Sequence, residues 1–289
     1  MNQSDQSANR KQPQDEKGSR GIELIASDLD GTLLDSDGIL RERTIAAIQA
    51  AERLGVTFTI STGRMFSSAG KFARQAGVKV PIICYNGAML CHLDGTVISH
   101  DTLDMDVARR LLAIFRERGT YVQSYVDDVL YVKDLHDSEY QDYMKHYGIY
   151  ACGIGDALYE PQAPPTKLLA TTDNAEESAL LMRELTERFK GSVYVTSSNS
   201  EFVEMMNPNV NKAKGLETLA GMLGIEMRRV MAIGDGENDV EMLRQAGLGV
   251  AMGNGRQHAK DAAQEVAPTN DDFGAAWAIE KFAIGRLGN

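Results

Sequence analysis

Five short apolar runs punctuate the chain, and two residues beyond the end of each stands a polar side chain: Ile22 to Ala26 before Asp28, Val56 to Ile60 before Thr62, Ile82 to Cys84 before Asn86, Val230 to Ile233 before Asp235, and Leu248 to Met252 before Asn254. Near-continuous apolar runs of this length suit strands covered on both faces. Other stretches carry apolar residues at helical spacing. Thr44 to Leu54 places Ile45, Ile48 and Leu54 on a stripe that stops at Gly55; Leu216, Leu219 and Leu223 form a second stripe closed by Gly224; Val240, Leu243 and Ala246 form a third closed by Gly247. A glycine there is the expected helix stop. Strands alternating with helices predict an α/β fold with a parallel sheet. The five polar endings would then gather outside the carboxyl edge of that sheet, where ligands bind in open α/β folds.

Between residues 87 and 200 the rhythm changes. Ala88 to Cys91 and Thr96 to Ile98 flank Asp94-Gly95 as a hairpin, and Tyr121 to Val126 and Val129 to Val132 flank Asp127-Asp128 as another. A helix on Val107, Leu111, Ile114 and Phe115 ends at Gly119. A polar helical stretch around Ser138 to Tyr147, a strand at Lys167 to Thr171, a helix from Glu176 to Phe189 and a strand at Val193 to Thr196 follow. Hairpins mixed with helices predict an α+β unit inserted into the parallel one. The next apolar stretch, Phe202 to Met206, is read as the return to the core. The expected division is a tail over 1–20, a core of 21–101 and 200–289, and an insert of 102–199.

Length supports two domains, since 289 residues exceed the usual size of a single core. The formal net charge of -11, with no clustered basic run, argues against a nucleic-acid surface and against an anionic membrane surface. An anionic substrate would therefore have to be drawn in locally, by a metal ion and a few cations. Cys84, Cys91 and Cys152 show no metal-ligand spacing and read as reduced thiols of a cytoplasmic protein. Residues 1–20 are polar and read as a disordered tail, neither a signal peptide nor an anchor.

Asp28-Leu29-Asp30-Gly31-Thr32-Leu33-Leu34, Ser61-Thr62-Gly63-Arg64, Asn86-Gly87-Ala88, Lys212 and Gly234-Asp235-Gly236-Glu237-Asn238-Asp239 resemble, in this order, the motifs of the haloacid dehalogenase superfamily, specifically its Cof-type phosphatases with a type IIB cap. The resemblance spans roughly residues 21–284. It implies a Rossmann-like core with an inserted α+β cap, and Mg2+-dependent hydrolysis of small phosphorylated metabolites, sugar phosphates or related esters, through an aspartyl phosphate. It assigns Asp28 as the nucleophile and gives the metal to the Asp28 side chain, the Asp30 backbone carbonyl, Asp235 and Asp239. Leu29, Gly63, Arg64, Asn86 and Asn238 are assigned to the substrate and its phosphate.

Elementary chemistry runs alongside. A carboxylate that attacks phosphorus divides one difficult hydrolysis into two displacements. Asp30 follows at the strand end beside Gly31, close enough to donate a proton to the leaving oxygen and then take one from water. Carboxylates crowded together repel unless a hard cation sits among them. Thr62 offers a hydroxyl and neighbouring N–H groups to phosphoryl oxygens, and Lys212 a point charge. Lys214 is a rival for that role. Asn86-Gly87 reads equally well as a plain turn, Asn254 as a loop brace, and the tyrosines Tyr140, Tyr143, Tyr147 and Tyr150 as packing. The same scaffold would also serve a phosphomutase or phosphotransferase, or a non-catalytic binder of phosphorylated metabolites. Neither the identity of the substrate nor the oligomeric state follows from the sequence.

Overall fold

The structure, a computed structural model, describes residues 21–147, 149–198 and 200–285. The tail expected over 1–20 lies outside the described residues. The strands are β1 (Leu24–Ser27), β2 (Thr57–Ile60), β3 (Ile82–Cys84), β4 (Met89–Cys91), β5 (Val97–His100), β6 (Val122–Val126), β7 (Val129–Val132), β8 (Ala151–Gly153), β9 (Lys167–Thr171), β10 (Tyr194–Thr196), β11 (Phe202–Met206), β12 (Val230–Gly234), β13 (Leu248–Ala251) and β14 (Glu265–Val266). The α-helices are α1 (Glu42–Arg53), α2 (Phe66–Ala76), α3 (Met105–Arg118), α4 (Ser138–Tyr147), α5 (Ala175–Arg188), α6 (Lys212–Leu223), α7 (Val240–Gln245), α8 (Gln257–Ala262) and α9 (Gly274–Ala278).

Five strands form a parallel sheet in the order β14-β13-β12-β1-β2, and a single parallel bridge from Ser61 to Ile83 attaches β3 beside β2. The chain winds outward from β1 in one direction through β2 and β3, and from β12 in the other through β13 and β14. The strand order therefore reverses between β1 and β12, the place where such sheets open a crevice for ligands. Side-chain alternation explains why the runs are apolar throughout. Leu24, Ala26, Val230 and Ala232 pack with Leu216, Leu219 and Leu243 of α6 and α7 on one face. Ile25, Met231 and Ile233 pack with Ile48 and Ala276 of α1 and α9 on the other. Both faces are covered, so neither can be polar.

The hairpins fall where the sequence puts them. β3, β4 and β5 make a small antiparallel sheet, and β6 and β7 turn through Asp127 and Asp128, both in the left-handed region at φ 50° and 60°. Asp and Asn tolerate that conformation better than most residues. The helix beginning at Met105 is capped by the Asp104 carboxylate, which accepts from Asp106 N and Val107 N, and it stops at Gly119.

A second sheet of six strands runs β10-β11-β9-β6-β7-β8. Here the sequence expectation is corrected: Phe202–Met206 does not return to the parallel core but pairs antiparallel with both β9 and β10. An apolar run announces a buried strand without saying which sheet will bury it. Alternation along β9 and β11 gives this sheet two different faces. Leu168, Ala170, Val203 and Met205 face the helices α3 and α5. Lys167, Leu169, Phe202 and Glu204 face the opposite way, toward the ends of the parallel strands. Leu54 also departs from expectation, being 63% exposed at the end of α1, because the helix closes one residue before it. Among the described residues, no helix is long and apolar enough to cross a membrane.

Candidate active site

β1 delivers Asp28 to the crevice by hydrogen-bonding Asp28 N to Ile233 O on β12. The chain then turns at Gly31, whose φ is 72° and whose missing Cβ would lie 2.6 Å from Asp235 Oδ2. Glycine is thus required twice over, for the backbone angle and for the approach of a second carboxylate. Asp235, beyond β12, accepts from Thr32 Oγ1 at 2.9 Å. Thr62, beyond β2, is held by Ile83 O and accepts from Arg64 N through its hydroxyl at 3.2 Å.

Lys212 opens α6 and is fully buried. Its ammonium donates to Asp28 Oδ1 at 2.7 Å and to Asp239 Oδ1 at 2.6 Å. Gly87, at φ 98°, lets the turn after β3 touch Asn211 O, the residue that caps α6, and so helps seat Lys212. Lys214 is not the partner of Asp28; its backbone N–H is taken by the Asn211 cap. The other Asp239 oxygen accepts from Asp235 N and Gly236 N, each at 2.9 Å.

Carboxylate oxygens of Asp28, Asp235 and Asp239 all lie within 4.8 Å of one another. Burial, reinforced by Asp239, Asp235 and Asp30 and opposed by Lys212, raises Asp28 well above its ordinary value of 3.8. Burial and then Asp239 raise Asp235 to about 7. Against the cost of burying its charge, the Asp239 and Asp28 carboxylates raise Lys212 above its ordinary 10.5. One ammonium thus does not neutralise three carboxylates, and an all-oxygen donor set of this kind fits a hard divalent cation.

A cleft between the strand ends and the six-stranded sheet collects seven of the residues singled out in the sequence: Asp28, Asp30, Thr62, Gly63, Arg64, Asp235 and Asn238 line it. Arg64 is buried and grips Asp30 with Nε and Nη2, donates to Ser68 Oγ, and lies over the Phe72 ring. Lys212, Asn86 and Asp239 stand behind the lining. Asn86 and Asn238 are joined, Nδ2 of Asn238 donating to Oδ1 of Asn86 at 2.8 Å, while Asn86 Nδ2 donates to Glu204. Leu29 is a core side chain and can meet a ligand only through its backbone. Asn254 donates to Gly31 O and braces the turn.

Sequence reasoning missed the far wall. Tyr143, Lys167, Leu169, Ser198, Phe202 and Glu204 line the cleft from the six-stranded side. Tyr143, expected only to pack, stands 6.0 Å from the Phe202 ring at the cleft. A signal existed for two of them: Lys167 and Glu204 are charges embedded in apolar runs, and an embedded charge must be paired inside the protein. They pair with each other at 3.5 Å.

The sequence profile of the haloacid dehalogenase-like hydrolases matches residues 25–279. The chain belongs to this family. The haloacid dehalogenase-like chain is 30% identical over 266 residues to the 5-amino-6-(5-phospho-D-ribitylamino)uracil phosphatase YitU of Bacillus subtilis, covering 90% of this chain and 97% of the relative. Its fold resembles that of TM0651 from Thermotoga maritima, with a TM-score of 0.76 at 30% identity over 90% of this chain and 97% of the other. At 21% identity, the subclass IIB sugar phosphatase BT4131 shares the fold with a TM-score of 0.80, over 91% of this chain and 99% of the other. This haloacid dehalogenase-like protein is an enzyme, and YitU, among its relatives, is a phosphatase.

Proposed function

We propose that the protein hydrolyses small phosphomonoesters in two steps on Asp28. The observation that carries the reading is the Asp28 carboxylate at the switch point of the sheet, with Oδ1 held by Lys212 and the cleft open before it. Asp28 attacks phosphorus as the bond to the leaving oxygen breaks, and Asp30 gives that oxygen its proton. Asp30 then takes a proton from water, the water oxygen attacks phosphorus, and Asp28 is released with inorganic phosphate. Thr62 and the N–H groups of the 62–64 loop meet the phosphoryl oxygens, and Lys212 aims Asp28 and favours its charged form against the effect of burial. When bound, Mg2+ would be held by Asp28, the Asp30 carbonyl and Asp235, with Asp239 close by, and supplies positive charge that lets an anionic ester approach. The three free cysteines fit a reducing, cytoplasmic setting.

The six-stranded sheet, which runs through Met206 rather than ending at residue 199, acts in this reading as a cap that chooses the leaving group. Its wall combines rings and an aliphatic side chain, Tyr143, Phe202 and Leu169, with polar groups, Ser198, Lys167 and Glu204. That mixture suits a leaving group with a flat apolar part and hydroxyls. The compound named for YitU, a uracil ring on a phosphorylated polyol, has this character and is the first to test. Phosphate release would be measured from that compound, pentose and hexose phosphates, nucleoside monophosphates and pyridoxal phosphate, with and without Mg2+. Turnover of at least one ester with Mg2+ is expected, and silence across the whole panel would remove the reading.

A further inference from the structure

We propose that Asp128 and Lys167, both carried by the six-stranded sheet, are positioning residues for the loop that receives the phosphoryl group. The inference rests on the proposed function, in which Thr62 and its neighbours meet that group. α2 starts immediately after this loop, and the residue before it, Met65, offers no side-chain cap. Helices leave their first N–H groups without intrahelical partners, and a nearby Ser, Thr, Asp or Asn ordinarily satisfies them. Here the cap comes from far away in sequence. Asp128 accepts from Phe66 N through Oδ1 at 2.8 Å and from Ser67 N through Oδ2 at 2.9 Å. Tyr85 OH, from the turn after β3, donates to the same Oδ1 at 2.8 Å. The left-handed Asp127-Asp128 turn that joins β6 to β7 carries this carboxylate at the end of the hairpin.

Lys167 holds the other end of the loop. Its ammonium donates to Gly63 O at 2.9 Å, lies 4.7 Å from the centre of the Tyr125 ring, and pairs with Glu204, which in turn accepts from Asn86 Nδ2 at 2.8 Å. Residues 63–67 are thus gripped at both ends by side chains of the six-stranded sheet, and Arg64, the residue that orients Asp30, sits between the grips. If the sheet moves away, Gly63 O and the first N–H groups of α2 lose their partners together. Docking of the sheet and the shape of the phosphate-receiving loop are therefore one linked equilibrium, and whatever stabilises one stabilises the other by the same amount.

The test compares the full-length protein with Asp128→Ala, Asp128→Asn and Lys167→Met, using hydrogen exchange of peptides covering residues 62–67 and the kinetics of para-nitrophenyl phosphate, an ester too small to need the cap for recognition. Exchange in 62–67 should speed up about tenfold in Asp128→Ala and Lys167→Met, the scale of one lost hydrogen-bonded contact, and less in Asp128→Asn, which keeps one acceptor oxygen. kcat for the small ester should fall about tenfold or more, with KM changed less. If Lys167→Met does not fold because Glu204 is left unpaired, the double variant Lys167→Met with Glu204→Gln removes that charge, and Asp128→Ala decides independently. Unchanged exchange in folded variants overturns the proposal, as does faster exchange with unchanged kcat. Should the wild type hydrolyse no ester at all, the functional reading falls, and loop exchange still tells whether the sheet sets the loop.

Discussion

Arg64 holds Asp30 by both carboxylate oxygens, Nε to Oδ2 at 2.7 Å and Nη2 to Oδ1 at 2.5 Å. A planar guanidinium meeting a carboxylate in this forked way fixes orientation as well as charge. Asp30 is 38% exposed at the cleft, whereas Arg64 is only 7% exposed and is fastened by Ser68 and Phe72, so the arginine is the fixed partner and the carboxylate the adjustable one. For Asp30 to carry a proton to a leaving group, one of these two bonds must loosen. That frees part of the guanidinium to meet an incoming anion, which reconciles the substrate-binding role expected of Arg64 with the ion pair it makes here.

Replacing Arg64 with Lys keeps the charge and removes the fork. kcat should drop by roughly 10- to 100-fold for esters of alkyl alcohols, which need a proton on departure, and by much less for para-nitrophenyl phosphate, which does not. Steady-state rates on the two substrate types measure the difference. An equal loss on both would mean that Arg64 does not act through Asp30.

Asp28→Asn should lower kcat by more than ~10³-fold while leaving the circular dichroism spectrum unchanged, because an amide of the same shape is a poor nucleophile. Mass spectrometry of acid-quenched wild type during turnover should show one phosphoryl group on the peptide containing Asp28. Brisk turnover by the folded variant would take the nucleophile role away from Asp28.

Lys212→Met leaves Asp28 and Asp239 facing each other in a buried site, and loss of one partner from such a cluster costs roughly 3–5 kcal/mol. The pH dependence has a definite sign. In the wild type, Lys212 is raised above its ordinary 10.5, so its contribution is complete below that value and lost only in strong alkali. In the variant the carboxylates govern. Asp28 is already raised above its ordinary 3.8 in the wild type, and removing Lys212, which lowers it, raises it further, so the variant loses more stability than the wild type as pH rises from below 3.8 through the folded value. Urea denaturation in chelator should therefore show a gap from wild type that is small in acid and widens toward neutrality. A gap independent of pH would contradict the electrostatic account.

Activity should vanish in chelator and return with Mg2+. Mg2+ should also raise the melting temperature, since binding to the native state alone stabilises it by about 2.7 kcal/mol at a hundred times Kd. Asp235→Asn removes one anionic oxygen donor and should abolish most of that thermal shift, whether or not a substrate is known. An undiminished shift in the variant would move the metal elsewhere.

The sequence by itself determined the local pieces of this enzyme. Apolar runs ending in Asp28, Thr62 and Asp235 mark the strand ends, Gly31 marks the turn, and glycines mark the helix stops, because hydrophobic periodicity and backbone angles act over a few residues and are written in consecutive positions. The parallel direction of β1, β2, β12 and β13 followed from strands alternating with helices, whereas their order in the sheet did not. What the tertiary structure alone decided is who meets whom across long separations: Arg64 with Asp30, Asn86 with Asn238, Asp128 with the start of α2, and Phe202–Met206 with β9 and β10. Lys167 and Glu204 illustrate the limit. A charge inside an apolar strand shows that a buried partner must exist, but the partner is selected by sheet register and by how one sheet docks on another, and those depend on the packing of the whole chain.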